Sequence, residues 1–120
     1  MLFRSTDNMI VSSGYNIGGP EVESAIGTHP DVVESAVVAA PDAERGSIVC
    51  AFVVLRDGVA GGAAKARELQ DYVKGQLAPY KYPRDVRFTT SLPRNASGKV
   101  QHFKLREVLE GESSAAGGGK

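Results

Sequence analysis

The sequence predicts an α+β domain: a small, mainly antiparallel sheet with helices packed on it, preceded by a short β-hairpin. Three observations lead there. Val32 to Ala40 and Ile48 to Leu55 are apolar runs of strand length with a turn-rich stretch between them. Apolar residues recur at helical spacing in two other segments, at Val22, Ala25 and Ile26 and again at Leu69, Tyr72, Val73 and Leu77. Strands and helices mix without the strict alternation of a parallel α/β sheet.

Each element has a local reason. Met9-Ile10-Val11 is β-rich, Ser12-Ser13-Gly14 offers a turn, and Tyr15-Asn16-Ile17 returns as a second short strand. Gly18-Gly19-Pro20-Glu21 starts a helix, with proline in the first helical turn and an acid near the positive end of the dipole. Gly27-Thr28-His29-Pro30 ends it. The two apolar runs read as strands buried on both faces, joined through Pro41 to Gly46 as an antiparallel pair. Cys50, inside the second run, reads as a buried, inert thiol. After the glycine-rich break at Gly58, Gly61 and Gly62, a helix is predicted from about Ala64 to Leu77, stopped by Pro79 and Pro83. Val86-Arg87-Phe88 is a short strand, Ser91 to Gly98 a loop, and Gln101 to Leu109 a last helix using Phe103, Leu105, Val108 and Leu109. The domain is expected to span residues 1–109. Residues 110–120, small and polar, are expected to form a disordered tail.

Composition narrows the function. The chain has 120 residues, 42% of them apolar, enough for one domain with a real core. Its single cysteine can form neither an internal disulfide nor a cysteine-based zinc site. No apolar run has the length of a membrane span, about 18 residues. The first ten residues, with Arg4, Asp7 and Asn8, lack the apolar centre of a signal peptide, so a soluble cytoplasmic protein is expected. The net charge is zero but unevenly spread: residues 1–60 carry 3 basic and 8 acidic groups, and the remainder 11 and 6. Between positions 74 and 106, Lys74, Lys81, Arg84, Arg87, Arg94, Lys99, Lys104 and Arg106 face only Asp85. Folded onto one face, such a cluster gathers phosphate or other anions; otherwise it is a solvated surface. Tyr80, Tyr82 and Phe88 lie among these cations, so base stacking on RNA is a third reading, without a nucleic-acid motif behind it.

Among candidate chemical groups, Lys99 ends the turn-rich stretch Pro93-Arg94-Asn95-Ala96-Ser97-Gly98. It is not a Walker lysine: Pro93 stands where that motif needs glycine, and Val100 where it needs Ser or Thr. A surface lysine in a turn is the commoner meaning of such a residue. A loop lysine can also act as a compact cation against charge developing at a phosphate. His29 and His102 have no cysteine or carboxylate at metal-ligand spacing, which favours structural or surface roles, and no metal site is expected. Ser12-Ser13-Gly14 lacks the frame of a hydrolase nucleophile. Glu21 and Glu23 fall on different sides of a helix and make a poor carboxylate pair.

Three segments together resemble a known family. Thr6 to Ile17, followed by Pro20-Glu21-Val22-Glu23, resembles the hinge motif of adenylate-forming enzymes. Ala78-Pro79-Tyr80-Lys81-Tyr82-Pro83-Arg84 is similar to a connecting stretch of their acyl-CoA synthetase branch, and Leu92 to Lys99, on through Lys104-Leu105-Arg106, to their C-terminal lysine motif. The wording is most similar to benzoate-type and medium-chain acyl-CoA synthetases. The resemblance covers the small C-terminal domain only, so the chain is expected to be a fragment whose partner is a missing large N-terminal adenylation domain. It implies that acid, ATP and coenzyme A give acyl-CoA, AMP and pyrophosphate, with Mg2+, in the complete enzyme. The isolated domain is expected to bind none of these and to be inactive.

The resemblance implies a role for each matching residue. Lys99 would be the adenylation lysine and Asp7 the hinge. Gly14 and Tyr15 would line the pantetheine channel, and Arg84 would meet the nucleotide phosphates of coenzyme A. One departure stands near the start: the family usually has arginine two residues before the hinge aspartate, where this chain has Ser5, with Arg4 one position earlier. The alternatives are a stand-alone anion- or RNA-binding module built on the 74–106 cluster, and a purely structural domain.

Overall fold

The computed structural model describes residues 9–119, the side chains of 112–119 apart. Asp7, Arg4 and Ser5 lie outside the described residues. Strands β1 (Met9–Ser12) and β2 (Tyr15–Gly18) form an antiparallel hairpin, and helix α1 (Gly19–Gly27) follows directly. Strands β3 (Val32–Asp42) and β4 (Gly46–Leu55) form the long antiparallel pair; helix α2 (Ala63–Lys74) and a 3-10 turn at Pro79–Lys81 lead to strand β5 (Asp85–Phe88). Helix α3 (His102–Gly119) is the last element among the described residues. The α+β class and the predicted order of elements match this architecture.

The hairpin turn is tight. Ser13 and Gly14 both have positive φ, 52° and 84°, the backbone that a two-residue hairpin loop with right-handed strand twist demands. Its tip is tied down: the Ser13 N–H donates to the Arg45 carbonyl at 3.1 Å, and Arg45 Nη1 donates to Ser13 Oγ at 3.1 Å. Arg45 is placed in turn by Asp42, whose Oδ2 accepts the N–H groups of Glu44 and Arg45.

The main sheet has the order β3-β4-β5, with β5 parallel to β4. Alternation along β3 and β4 feeds two cores. Val37, Val49, Ala51 and Val53 face the first, which is closed by Ile10 and Ile17 of the hairpin, Val22, Ala25 and Ile26 of α1, and Leu69 and Val73 of α2. Ala36, Val38, Ala40, Cys50, Phe52 and Val54 face the second, closed by Leu92 and by Leu105 and Leu109 of α3. Cys50 is buried there, as its position in an apolar run implied.

Two expectations need correction. Helix α2 ends at Lys74, not near Leu77, because Gly75 caps it and donates its N–H to the Asp71 carbonyl. Phe103 and Val108 do not join the core: they are 46% and 49% exposed, since only Leu105 and Leu109, one turn apart, face the sheet. Helix α3 runs on past Leu109 to Gly119; Ala115 and Ala116 favour that conformation, whereas Gly111 and Gly117 to Gly119 oppose it.

Candidate functional site

The structure divides the candidate residues between the two sides of the sheet. Gly14 and Tyr15 sit at the hairpin tip, on the first-core side. A Cβ at Gly14 would meet nothing within 4 Å among the described residues, so its positive φ is what calls for glycine in the chain itself. Tyr15 is half-exposed and stacks on Tyr80, with ring centroids 4.3 Å apart and planes 21° from parallel. Lys81 flanks this stack with its Nζ 5.8 Å from the Tyr80 centroid. Its ammonium pairs with Glu21 at 2.9 Å, and the bond to that carboxylate holds the lysine above its usual range.

Arg84 belongs to the same segment as Tyr80. Its N–H donates to the Val49 carbonyl, fixing it to the central strand. Its guanidinium lies 4.9 Å from the Tyr82 ring centroid and donates to the Tyr82 hydroxyl at 3.1 Å. Lys74, at the end of α2, places its Nζ 4.4 Å from the same ring. Two cations therefore share one aromatic ring, an arrangement suited to an anion that also offers a flat surface. Tyr15 and Arg84 are thus joined through the Tyr80–Arg84 segment. The tyrosine stack lay outside what the sequence could show, because its partners are distant in the chain.

Lys99 is elsewhere. Its loop returns on itself: Arg94 and Val100 form an isolated antiparallel bridge, and Leu92 and Val100 pack on the second core. Lys99 is exposed, and its ammonium has no ion-pair partner among the described residues. The basic stretch does not act as one block of free cations: Lys81, Arg87 and Arg94 pair with Glu21, Asp85 and Glu34.

Neither histidine has a carboxylate at metal-ligand spacing in the sequence, but the fold brings one to each. His29, 6% exposed, accepts the Asp31 N–H at Nδ1 and donates from Nε2 to Glu68 Oε2 at 2.7 Å. His102 donates in the same way to Glu23 at 2.7 Å. Donor atoms of His29, Asp31 and Glu68 lie within 4.8 Å of one another. The Lys65 ammonium already bonds both carboxylates, Asp31 at 2.7 Å and Glu68 at 3.1 Å. Those bonds hold both carboxyls below, and Lys65 above, their ordinary ranges. The group is a closed ion-pair network joining α2 to the loop before β3.

Residues 21–99 match the family model described as AMP-binding enzyme C-terminal domain. The chain is 53% identical over 102 residues to the human acyl-coenzyme A synthetase ACSM5, mitochondrial, covering 83% of this chain and 18% of that protein. It is 50% identical over 104 residues to the uncharacterized acyl-CoA ligase YtcI of Bacillus subtilis, covering 87% and 20%. The crystal structure of Brucella canis acyl-CoA synthetase superposes with a TM-score of 0.86 at 46% identity, over 90% of this chain and 20% of that one. The chain therefore spans about a fifth of the length of these relatives.

Proposed function

The chain belongs to the AMP-binding enzyme C-terminal domain family, and on that premise we propose that it is the mobile C-terminal domain of an ATP-dependent acyl-CoA synthetase, working with a large N-terminal adenylation domain. In the first half-reaction the substrate carboxylate attacks the α-phosphate of ATP, releasing pyrophosphate and leaving an acyl-adenylate. In the second, the coenzyme A thiol attacks the acyl carbon, and AMP departs with its phosphate oxygen.

The observation that supports this reading is that the two candidate segments lie on opposite sides of one sheet. Lys99 stands out from the second-core side as an exposed cation. There it would offset negative charge as the carboxylate and α-phosphate meet, at a position set by the loop rather than by diffusion. Gly14 and Tyr15 stand on the first-core side, where open space beside Gly14 suits a narrow pantetheine arm. The cations over Tyr82, Arg84 among them, suit the nucleotide end of coenzyme A. One docked orientation cannot offer both sides to one active site, so the domain must turn between half-reactions. Asp7, ahead of β1, is the proposed hinge.

Among the described residues the cluster of His29, Asp31 and Glu68 does not fit Mg2+: both carboxylates already bond the Lys65 ammonium, His29 bonds Glu68, and Mg2+ prefers an all-oxygen shell. Benzoate-type or medium-chain acids are the proposed substrates. Among the described residues no helix is long and apolar enough to cross a membrane. A cytoplasmic setting is part of the proposal, checked by fractionation because the human relative is named mitochondrial. The RNA-binding alternative has no support from the relatives.

The test separates the half-reactions in the complete enzyme. Lys99→Ala is expected to abolish acyl-adenylate formation and to spare thioester formation from a supplied acyl-adenylate. Equal loss of both would remove Lys99 from this role.

A further inference from the structure

Strand β3 carries one extra residue at its start: Val32 pairs with Leu55 and Glu34 with Val54, so Val33 is bulged. The bulge has a consequence for two neighbours. Counting back by twos from Ala40, Val38 and Ala36 places Glu34 on the second-core side. The same count would put Val32 there too, yet Val32 lies in the first core. The bulge turns Val32 inward on one side and leaves the Glu34 carboxylate on the other, beneath the Lys99 loop.

Glu34 meets that loop through Arg94. One guanidinium nitrogen, Nη2, pairs with Glu34 Oε1, and the other, Nη1, donates to the Gly98 carbonyl at 2.7 Å. Asn95 completes the brace. Its Oδ1 accepts the N–H groups of Ser97 at 2.9 Å and Lys99 at 3.0 Å, and its own N–H donates to the Lys99 carbonyl at 3.0 Å. Both peptide groups flanking the Lys99 Cα are therefore held, the first at its Gly98 carbonyl and at its Lys99 N–H, while the ammonium stays exposed. A planar fork that spans strand and loop is something arginine provides and lysine does not.

We propose that Glu34, acting through the forked Arg94, is a positioning residue that presets the Lys99 backbone for adenylation. This rests on the role given to Lys99 above. Charge on Glu34 orients the guanidinium, the guanidinium fixes the Gly98 peptide at its positive φ of 85°, and Gly98 sets the direction in which Lys99 leaves the loop. The ammonium then needs to order its own side chain and not the loop.

The experiment uses Glu34→Gln, which keeps the shape and removes the charge, and Arg94→Lys, which keeps a cation and removes the fork. In the 120-residue chain, amide hydrogen exchange at Gly98 and Lys99 is expected to rise about tenfold in both variants. In the complete synthetase, the rate of acyl-adenylate formation is expected to fall roughly tenfold to a hundredfold. KM for the acid and the rate of thioester formation from a supplied adenylate should stay unchanged. Lys99→Ala is run beside them. If Lys99→Ala abolishes adenylation while Glu34→Gln and Arg94→Lys leave it intact, the positioning role is overturned. Unchanged exchange at Gly98 and Lys99 overturns it as well. If Lys99→Ala itself leaves adenylation intact, the function assigned to Lys99 has failed, and the positioning role falls with it.

Discussion

Glu23 and His102, on the first and last helices, share one hydrogen bond that links those two helices. Glu23 Oε2 takes the His102 Nε2–H at 2.7 Å and also the backbone N–H of Val37 at 2.8 Å. β3 is an edge strand, so that N–H would otherwise face away from the sheet without a strand partner. One carboxylate thus satisfies the sheet edge and ties α1 to the first residue of α3, just beyond the Lys99 loop.

Removing it should cost measurable stability. Glu23→Ala leaves the Val37 N–H and the His102 ring without their acceptor, a loss of about 1–2 kcal/mol, or roughly 5 °C in Tm. Glu23→Gln, whose side-chain carbonyl can still accept one bond, should lose less. Thermal unfolding of the two variants checks this; equal Tm values for Glu23→Ala and the parent chain would show that the bridge is idle.

The His29 network predicts a pH profile. The Lys65 bonds hold the Asp31 and Glu68 carboxyls below their ordinary values of 3.8 and 4.5. Groups lowered in the folded state stabilise it above those values, and the contribution is lost as pH falls through the folded ones. Lys65 is raised above 10.5, so its contribution is complete below that value and is lost as pH rises through the folded one. All three groups are solvent-screened, so the effect is modest. Tm measured against pH should be flat for these groups between about 4.5 and 10.5 and fall on the acid side. In Lys65→Met the acid limb should be shallower; an unchanged limb would mean that the network does not titrate with folding.

Gly61 packs against a ring. A Cβ there would stand 2.8 Å from Phe88 Cδ2 and Cγ, inside contact distance. Gly61→Ala must push the Phe88 ring off the first core, at about 1–3 kcal/mol. Gly61→Ala with Phe88→Leu should recover part of that loss in denaturant titration. Additive losses would place the strain elsewhere.

Gly14→Ala separates backbone from function. The positive φ makes alanine cost about 1–2 kcal/mol, with no clash among the described residues. In the complete enzyme, thioester formation should slow while adenylation persists. If both half-reactions fall by the same factor, Gly14 matters only to the hairpin.

Much of the fold was legible because its causes are local. The Ser13-Gly14 turn, Pro20 in the first turn of α1 and the turn between the two apolar runs are each dictated by residues within a few positions. The Lys99 loop was legible as a motif, and the hairpin residues Gly14 and Tyr15 as another. The brace from Glu34 through Arg94, the ring of Tyr80 under Tyr15 and the carboxylates beside both histidines were not, because each joins residues far apart in sequence.

The sequence by itself determined which segments are strands and helices and which family they resemble, since periodicity and turn chemistry act over a few residues and motifs are contiguous. Only the tertiary structure decided that Lys99 and the Gly14-Tyr15 tip lie on opposite sides of one sheet. The physical reason is alternation: strands β3 and β4 send successive side chains to opposite faces, each face gathers its own core, and each core brings a different candidate segment with it.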